Sequence, residues 1–198
     1  MKAGKLIAFE GVDGSGKSTQ IKRLAVALQA RGCRVETTFE PTDGETGKRI
    51  RSMARSGKLL DPETELAWFL TDRREHVEHV IEPGLAAGSW VLTDRYTLSS
   101  VAYQGARGLS AEEILQKSEV EFPLPDLALI FEIDVEVGMR RIGTRGGVSE
   151  PAFENPEVQQ AAAAIFASLD RDYIERIDAG GEPDDVYRRM MEVIDRRL

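Results

Sequence analysis

Short apolar runs alternate with longer amphipathic segments along most of the chain. The apolar runs cover residues 6–9, 34–39, 90–93 and 127–133, followed by a weaker run at 173–178. Amphipathic patterns predict helices at residues 17–31, 46–56, 63–82, 110–121, 135–142, 156–170 and 183–197. Short strands that are apolar on both faces are typical of a parallel sheet covered by helices. The pattern therefore predicts an α/β fold, a three-layer α/β/α arrangement around a central five-stranded parallel sheet.

Polar residues follow each of the first three predicted strands. Glu10 opens a polar stretch that runs to Lys17, residues 40–42 follow the second strand, and Asp94 and Arg95 follow the third. The carboxyl ends of parallel strands lie at one edge of a sheet, where α/β proteins bind their ligands. We therefore expect these clusters to converge in one cleft.

The sequence between the first strand and the first helix matches G-x-x-x-x-G-K-[ST]. Its glycines let backbone N–H groups point at phosphate oxygens, Lys17 adds a positive charge, and Ser18 offers a hydroxyl to Mg²⁺. An ordinary turn is the alternative, but the order of strand, loop and helix favours a phosphate-binding loop (P-loop). The residues expected to bind a nucleoside triphosphate are Gly11, Val12, Asp13, Gly14, Ser15, Gly16, Lys17, Ser18 and Thr19.

A carboxylate and a guanidinium stand side by side at the end of the third predicted strand. Asp94 has the position at which P-loop proteins hold Mg²⁺ or its water, so Ser18 and Asp94 are the predicted metal ligands. The planar fork of Arg95 suits two phosphate oxygens better than a lysine does. The alternative is an ion pair between the two neighbours.

Phe69 and Arg73 are spaced i, i+4 on the helix predicted at 63–82, and therefore lie on one face. Such a pair can bind a planar base, the ring by stacking and the guanidinium by donating to a carbonyl. The alternative is that this face simply belongs to the core. His76 lies further along the same face, and we interpret it and His79 as surface or pocket-wall residues because no partner is evident.

Two further segments are rich in groups that bind nucleotides. Residues 99–107 combine small hydroxyls with Tyr103 and Gln104, which can read a base edge and a sugar; a helix N-cap at Ser99 is the modest alternative. Residues 140–147 place glycines on both sides of Arg145, so this loop can close over a ligand and expel water. A surface loop is the alternative for Arg145.

Composition limits the class of protein. The 198 residues carry a net charge of −8, which argues against a nucleic-acid partner. No apolar run approaches the ~18 residues of a membrane span. We expect one domain over residues 1–198, with a lid at about 141–155. The first strand begins at residue 6, which leaves no room for a signal peptide, so a cytoplasmic location is expected. The single cysteine, Cys33, is interpreted as a packed thiol.

Taken together, these motifs resemble the thymidylate kinase family over nearly the whole chain. The resemblance is carried by Gly11–Ser18, by Asp94-Arg95-Tyr96, by Phe69 with Arg73, and by Ser99-Ser100 with Tyr103-Gln104-Gly105. It implies a P-loop kinase fold and transfer of the γ-phosphoryl group of ATP to dTMP with Mg²⁺, giving dTDP for dTTP synthesis. It also implies a homodimer whose other partners are the two small-molecule substrates.

The resemblance assigns roles to the matching residues. The residues expected to bind dTMP are Phe69 (stacking on thymine), Arg73 (its carbonyl), Ser100 or Gln104 (the base edge), Tyr103 (the sugar at the 2′ position), Asp13 (the 3′-hydroxyl), Arg95 (the phosphate) and Glu40. The catalytic residues are expected to be Lys17, Asp94, Arg95 and Arg145.

The sequence departs from the family pattern at two places. After the second strand most bacterial members have Arg-Glu-Pro-Gly-Gly, whereas this chain has Phe39-Glu40-Pro41-Thr42-Asp43. Its lid also lacks the usual acidic and basic continuation after Gly146. Because the P-loop contains no arginine, family logic assigns the arginine of the transition state to the lid, at Arg145, with Arg140 and Arg141 as rivals.

Two other functions remain open at this point. One is a kinase of another nucleotide or nucleoside on the same scaffold, which the altered loop at residues 40–42 and the base-reading Ser100 would permit. The other is a GTP-dependent switch. A switch needs a guanine-reading Asn-Lys-x-Asp, and the only asparagine, Asn155, is followed by Pro156.

Overall fold

Five parallel strands form the centre of the structure, a computed structural model that describes residues 4–58, 60–144, 153 and 155–198. The strands are β1 (Lys5–Glu10), β2 (Val35–Phe39), β3 (Trp90–Asp94), β4 (Leu127–Glu132) and β5 (Ile174–Asp178), and their order in the sheet is β2-β3-β1-β4-β5. The predicted five-stranded parallel sheet is confirmed. Strand β1 lies in the middle, so the loop that follows it emerges at the centre of the carboxyl edge.

Helices cover both faces of this sheet. They are α1 (Lys17–Ala30), α2 (Glu45–Ser56), α3 (Pro62–His76), α4 (Glu82–Ala86), α5 (Thr97–Ala106), α6 (Ala111–Glu121), α7 (Val135–Thr144), α8 (Pro156–Ser168) and α9 (Pro183–Arg197). The predicted helix at 63–82 is divided, because α3 ends at His76 and a π-helical turn, Val77–Ile81, joins it to α4.

Helix α5 was not predicted as a helix. All residues from Thr97 to Gln104 are buried, so the segment lacks the alternation of apolar and polar faces by which a surface helix is recognised. The proposed N-cap at Ser99 is wrong, since the helix is capped at Tyr96 and Ser99 lies within its first turn.

Side chains of β1 divide the apolar core into two layers. Leu6 and Ala8 point to the face covered by α5, α6 and α8, whereas Ile7 and Phe9 point to the face covered by α1 and α9. This alternation follows from the period of two along a strand, and it explains why the central strands are apolar at every position. The three-layer arrangement is therefore confirmed.

Helix α7 packs closely against the loop that follows β1, and two glycines permit the approach. Gly14 has φ +73°, and a Cβ there would lie 2.1 Å from the carbonyl oxygen of Gly138. A Cβ on Gly138 would lie 2.5 Å from the carbonyl oxygen of Asp13. Both positions need glycine, so this contact fixes the loop against the helix that leads into the predicted lid.

The predicted lid at about 141–155 is only partly described. Helix α7 reaches Thr144, and Phe153 and Asn155 are described, but Arg145 lies outside the described residues. Within the described part of the chain, no helix is both long enough and apolar enough to cross a membrane. Cys33 is half-buried beside the core on the α1 face.

Candidate active site

Lys17 lies at the centre of the P-loop and bonds the loop's own oxygens. Its Nζ donates to the carbonyls of Gly11 and Val12, both at 3.0 Å, and to Ser15 Oγ at 3.3 Å. Burial, together with the charge of the nearby Arg95, lowers the pKa of Lys17 to about 8. Helix α1 begins here without a side-chain cap, so its first N–H groups are available to an anion.

The two predicted metal ligands lie side by side. Ser18 Oγ donates to Asp94 Oδ2 at 2.5 Å. A hydroxyl and a carboxylate are hard oxygen ligands, which suit Mg²⁺. Among the described residues no group of three or more histidine, cysteine, aspartate or glutamate side chains can hold a metal. Mg²⁺ is commonly held by one or two carboxylates together with substrate phosphates.

Arg95 turns back over the P-loop in an unusual backbone conformation. Its φ is 73°, which non-glycine residues rarely adopt and which is common at functional sites. The guanidinium donates to Ser99 Oγ at 3.0 Å, to Tyr103 Oη at 3.3 Å and to the carboxylate of Asp13. The alternative, an ion pair between Arg95 and Asp94, is not observed. Asp94 accepts a hydrogen bond from Ser18 instead.

Glu10 holds the turn that contains Arg95, a role that the sequence analysis did not assign. The fully buried carboxylate accepts from the N–H groups of Tyr96 (3.0 Å) and Leu98 (3.1 Å), and from Ser99 Oγ at 2.5 Å. Burial raises the pKa of Glu10 above its ordinary value. The sequence did contain a signal for this role, which was an acidic residue at the end of a buried strand, directly before the P-loop.

A cavity, here called the inner cavity, opens between α3 and α5. It is lined by Asp13, Glu40, Pro41, Phe69, Arg73, Arg95, Ser99, Ser100, Tyr103, Gln104 and Phe153. Phe69 is half-buried and faces the cavity, with its ring centroid 6.1 Å from that of Phe153. The core alternative therefore does not hold for Phe69, although its neighbours Leu66 and Leu70 do pack against the core.

Arg73 is fully buried in the wall of the inner cavity. Its Nε and Nη2 donate to Glu40 Oε2 at 2.9 and 2.7 Å, and Nη2 also donates to Ser100 Oγ at 3.0 Å. Arg73 Nη1 is buried and has no hydrogen-bond partner in the described part of the chain. An unpaired buried donor is costly, so this nitrogen needs an acceptor that the described part of the chain does not supply.

Gln104 presents the complementary group in the same cavity. Its Nε2 donates to Glu65 Oε1 at 2.9 Å, while its Oε1 is buried without a partner among the described residues. Glu65 is itself buried and ion-paired with Arg107, and burial raises its pKa above the ordinary value. Two residues that line the inner cavity therefore carry one unpaired donor and one unpaired acceptor.

Gln159, on α8, joins the P-loop to the wall of the inner cavity and was missed by the sequence analysis. Its Oε1 accepts from the Asp13 N–H at 3.1 Å and from Tyr103 Oη at 3.2 Å, and its Nε2 donates to Asp13 Oδ2 at 2.7 Å. Burial alone would raise the pKa of Asp13, but Arg95, Lys17 and Gln159 lower it below its ordinary value. Two adjacent glutamines on one helix gave no sign of which one is buried.

His76 is buried and paired, so its interpretation as a surface or pocket-wall residue without a partner is wrong. Its Nδ1 lies 2.9 Å from Glu40 Oε1, and its Nε2 lies 2.6 Å from Thr38 Oγ1. His79, by contrast, is exposed, with Nδ1 2.7 Å from the Glu75 carbonyl oxygen. Partners on other elements cannot be read from positions along one helix.

An open cleft, the P-loop cleft, adjoins the inner cavity. Its lining includes Lys17, Ser18 and Asp94, and it shares Asp13, Glu40, Pro41 and Arg95 with the inner cavity. A further open region lies on the other side of the P-loop and is lined by residues that include Thr19, Gln20 and Arg141. The polar clusters at the strand ends thus converge as expected.

Comparison with known proteins gives one consistent result. The family model described as Thymidylate kinase matches residues 9–190. A protein of Desulfotalea psychrophila is 46% identical over 98% of this chain and 96% of its own length, and one of Akkermansia muciniphila is 43% identical over 100% and 94%. A third, from Xanthomonas euvesicatoria, is 40% identical over 96% and 83%. All three are named thymidylate kinase, and nothing favours the two alternative functions. The match extends over the P-loop and both walls of the inner cavity, and the chain belongs to the thymidylate kinase family.

Proposed function

We propose that this ATP-dependent dTMP kinase binds dTMP in the inner cavity and the triphosphate of ATP in the P-loop cleft, so that the two phosphate groups meet beside Arg95. The observation that carries the proposal is the buried, unpaired Nη1 of Arg73, a residue that lines the inner cavity. A base carbonyl would accept from this nitrogen and remove the penalty of an unpaired donor.

The unpaired groups of the inner cavity select for thymine chemistry. Thymine carries a carbonyl next to an N–H, and these match the donor on Arg73 and the acceptor on Gln104. Cytosine would present an amino group and an unprotonated ring nitrogen, which places a donor against the guanidinium. Phe69 lies on the same wall, where its face can stack on the ring.

The residues around the phosphates are proposed to position and neutralise them. Arg95 would bind the dTMP phosphate, Asp13 the 3′-hydroxyl, and Tyr103 would exclude a 2′-hydroxyl. Ser18 and Asp94 would hold Mg²⁺, which when bound offsets charge on the donor phosphates. An oxygen of the dTMP phosphate then attacks the γ-phosphorus in line, the bond to the bridging oxygen breaks, and dTDP and ADP are formed. Lys17 would neutralise negative charge on the phosphoryl group while it is transferred.

The experiment that tests base selection is a coupled ADP-release assay with dTMP, dUMP, dCMP and the ribose counterpart of dTMP. The expected result is highest kcat/KM for dTMP and the lowest for dCMP. A preference for dCMP would contradict the pairing proposed for Arg73 and Gln104.

Replacing Arg73 by alanine is expected to raise KM for dTMP by about 10- to 100-fold, the usual value of a hydrogen bond to a charged group. KM for ATP is expected to stay within about threefold, because the P-loop cleft is not lined by this residue. Arg74→Ala is the matched control, since Arg74 is on the same helix but its side chain is 53% exposed. Equal increases in KM for dTMP and for ATP would indicate that this face of α3 has a purely structural role.

Arg145 is proposed to reach the transferring phosphoryl group when the lid closes. The P-loop has no arginine, and Arg141, a rival for this role, donates to the carbonyls of Ala179 and Gly181 at 3.4 and 3.2 Å. We expect Arg145→Ala to lower kcat about 10²-fold with little change in KM for dTMP, because the contact forms in the transition state. Normal turnover in Arg145→Ala together with a large loss in Arg140→Ala or Arg141→Ala would move the role to a neighbour.

We further propose that the chain is a single domain and acts as a homodimer in the cytoplasm. The family resemblance supports the dimer, and dTDP is needed where nucleotide pools are maintained. Light scattering of the purified protein tests the oligomeric state, with a mass of twice 21.9 kDa as the expected value.

A further inference from the structure

Four side chains form a buried hydrogen-bonded chain behind the inner cavity. It runs from Thr38 on β2 to His76 at the end of α3, then to Glu40, and finally to Arg73. His76, Glu40 and Arg73 are each at most 6% exposed. None of the roles assigned so far uses the imidazole of His76, which is only 2% exposed.

The partners of the imidazole determine which nitrogen carries a proton. Burial would raise the pKa of Glu40, but Arg73 and His76 lower it below the ordinary value, so Glu40 is an ionised acceptor. A carboxylate cannot donate, and therefore His76 Nδ1 must carry the hydrogen in its 2.9 Å contact with Oε1. The 2.6 Å contact of Nε2 with Thr38 Oγ1 fixes the rotation of the ring.

The two oxygens of Glu40 have different partners, and this division orients Arg73. Both Arg73 Nε and Arg73 Nη2 donate to the same oxygen, Oε2, at 2.9 and 2.7 Å. An arginine and a carboxylate usually pair through two oxygens as a fork. Here the hydrogen bond between His76 Nδ1 and Oε1 fixes the rotation of the carboxylate, which keeps Oε2 in line with Nε and Nη2 of Arg73, a residue that lines the inner cavity.

We infer that His76 is a positioning residue for the base site: by holding Glu40 Oε1 it fixes the guanidinium of Arg73 in the orientation that meets the base. The π-helical turn begins directly after His76, and such turns are frequent at functional sites. The inference rests on the proposed contact between Arg73 and the base.

A pair of amide substitutions separates positioning from packing. In asparagine the amide nitrogen is as many bonds from Cβ as Nδ1 is in histidine, whereas in glutamine it corresponds to Nε2. His76→Asn therefore keeps a donor for Glu40, and His76→Gln loses it. We expect His76→Gln to raise KM for dTMP about tenfold and His76→Asn by no more than about threefold, with KM for ATP unchanged in both.

Further variants keep the test decisive where substitution of a buried residue prevents folding. Thr38→Val is nearly isosteric, Thr38 is half-buried on an edge strand, and the variant is expected to raise KM for dTMP a few-fold. His79→Gln is the control, because this exposed histidine bonds only the Glu75 carbonyl among the described residues and should leave both KM values unchanged. Equal effects of His76→Asn and His76→Gln, or parallel increases in both KM values, would overturn the inference.

Nitrogen NMR of the imidazoles gives a readout that does not depend on activity. The chain has two histidines, so the His79→Gln variant leaves the signals of His76 alone. A protonated Nδ1 is expected, and an unprotonated Nδ1 would overturn the inference.

The variants also distinguish failure of the inference from failure of the proposed function. If Arg73→Ala shows no selective effect on KM for dTMP, the proposed function of Arg73 fails. If Arg73→Ala is selective and His76→Gln is not, only the inference about His76 fails.

Discussion

Replacing Lys17 by methionine is expected to lower kcat by about 10³-fold, or ~4 kcal/mol of transition-state stabilisation. Methionine keeps the apolar stem and removes the ammonium, which alone among the P-loop side chains carries a positive charge. Phosphoryl transfer spreads negative charge over the equatorial oxygens, and the enzyme contributes mostly positioning and charge neutralisation. The ammonium is already desolvated, so its interaction with phosphate is weakly screened.

The fold is expected to survive this change. Lys17 Nζ bonds oxygens of the P-loop itself, and Lys17 is not among the apolar residues of the core. Lys117→Met is the matched control, because the side chain of Lys117 is 77% exposed on α6. Steady-state kinetics and thermal unfolding are measured for both variants. Near-normal turnover in folded Lys17→Met would contradict the assignment of the P-loop to catalysis.

The lowered pKa of Lys17 also predicts a dependence on pH. Only the charged amine attracts the triphosphate, so kcat/KM for ATP is expected to fall as the pH rises through about 8. The effect on stability has the opposite sign: between pH 8 and 10.5, the ordinary pKa of lysine, the unfolded chain binds more protons at this residue than the folded chain does, so its contribution to stability rises with pH. Both effects should be absent from Lys17→Met, measured by pH profiles of kcat/KM and of the free energy of unfolding.

The sheet and most helices were predictable because their signals are local. Short apolar strands followed by amphipathic helices determine a covered parallel sheet, and the carboxyl edge then brings together the ends of β1, β2 and β3. Helix α5 was the main omission, since a helix that is buried on nearly every side has no polar face to reveal its period.

The site was predictable where one segment carries the chemistry. The P-loop, the Asp94–Arg95 turn and the Phe69–Arg73 pair each lie within a few residues of sequence. Roles that depend on pairing between distant elements were missed: Gln159 bonds Asp13 across 146 positions, and His76 bonds Glu40 across 36. Such pairing is a property of the packed fold and leaves no pattern along either segment.

The second large effect is expected at Arg95. Its guanidinium lies where the inner cavity joins the P-loop cleft, and it is held by Ser99 and Asp13. Arg95→Ala is expected to lower kcat/KM for dTMP by about 10³-fold, because a fork that binds two phosphate oxygens is lost from a largely desolvated site. Arg95→Lys keeps the charge without the fork, and a loss of about 10²-fold is expected.

The backbone of Arg95 allows binding to be separated from folding. At φ 73° an alanine keeps the strain of the left-handed region, whereas a glycine is relieved of it. Arg95→Gly is therefore expected to be more stable than Arg95→Ala by about 1 kcal/mol, although both lose the same activity. Chemical unfolding and kinetics with each substrate check this. A parallel rise in KM for ATP would indicate that the P-loop is disturbed through Asp13, and unimpaired kcat/KM for dTMP would exclude Arg95 from the acceptor phosphate. The left-handed backbone of Arg95 costs stability. We attribute its presence in the native protein to its effect on the side chain, which it directs to the place where the inner cavity joins the P-loop cleft.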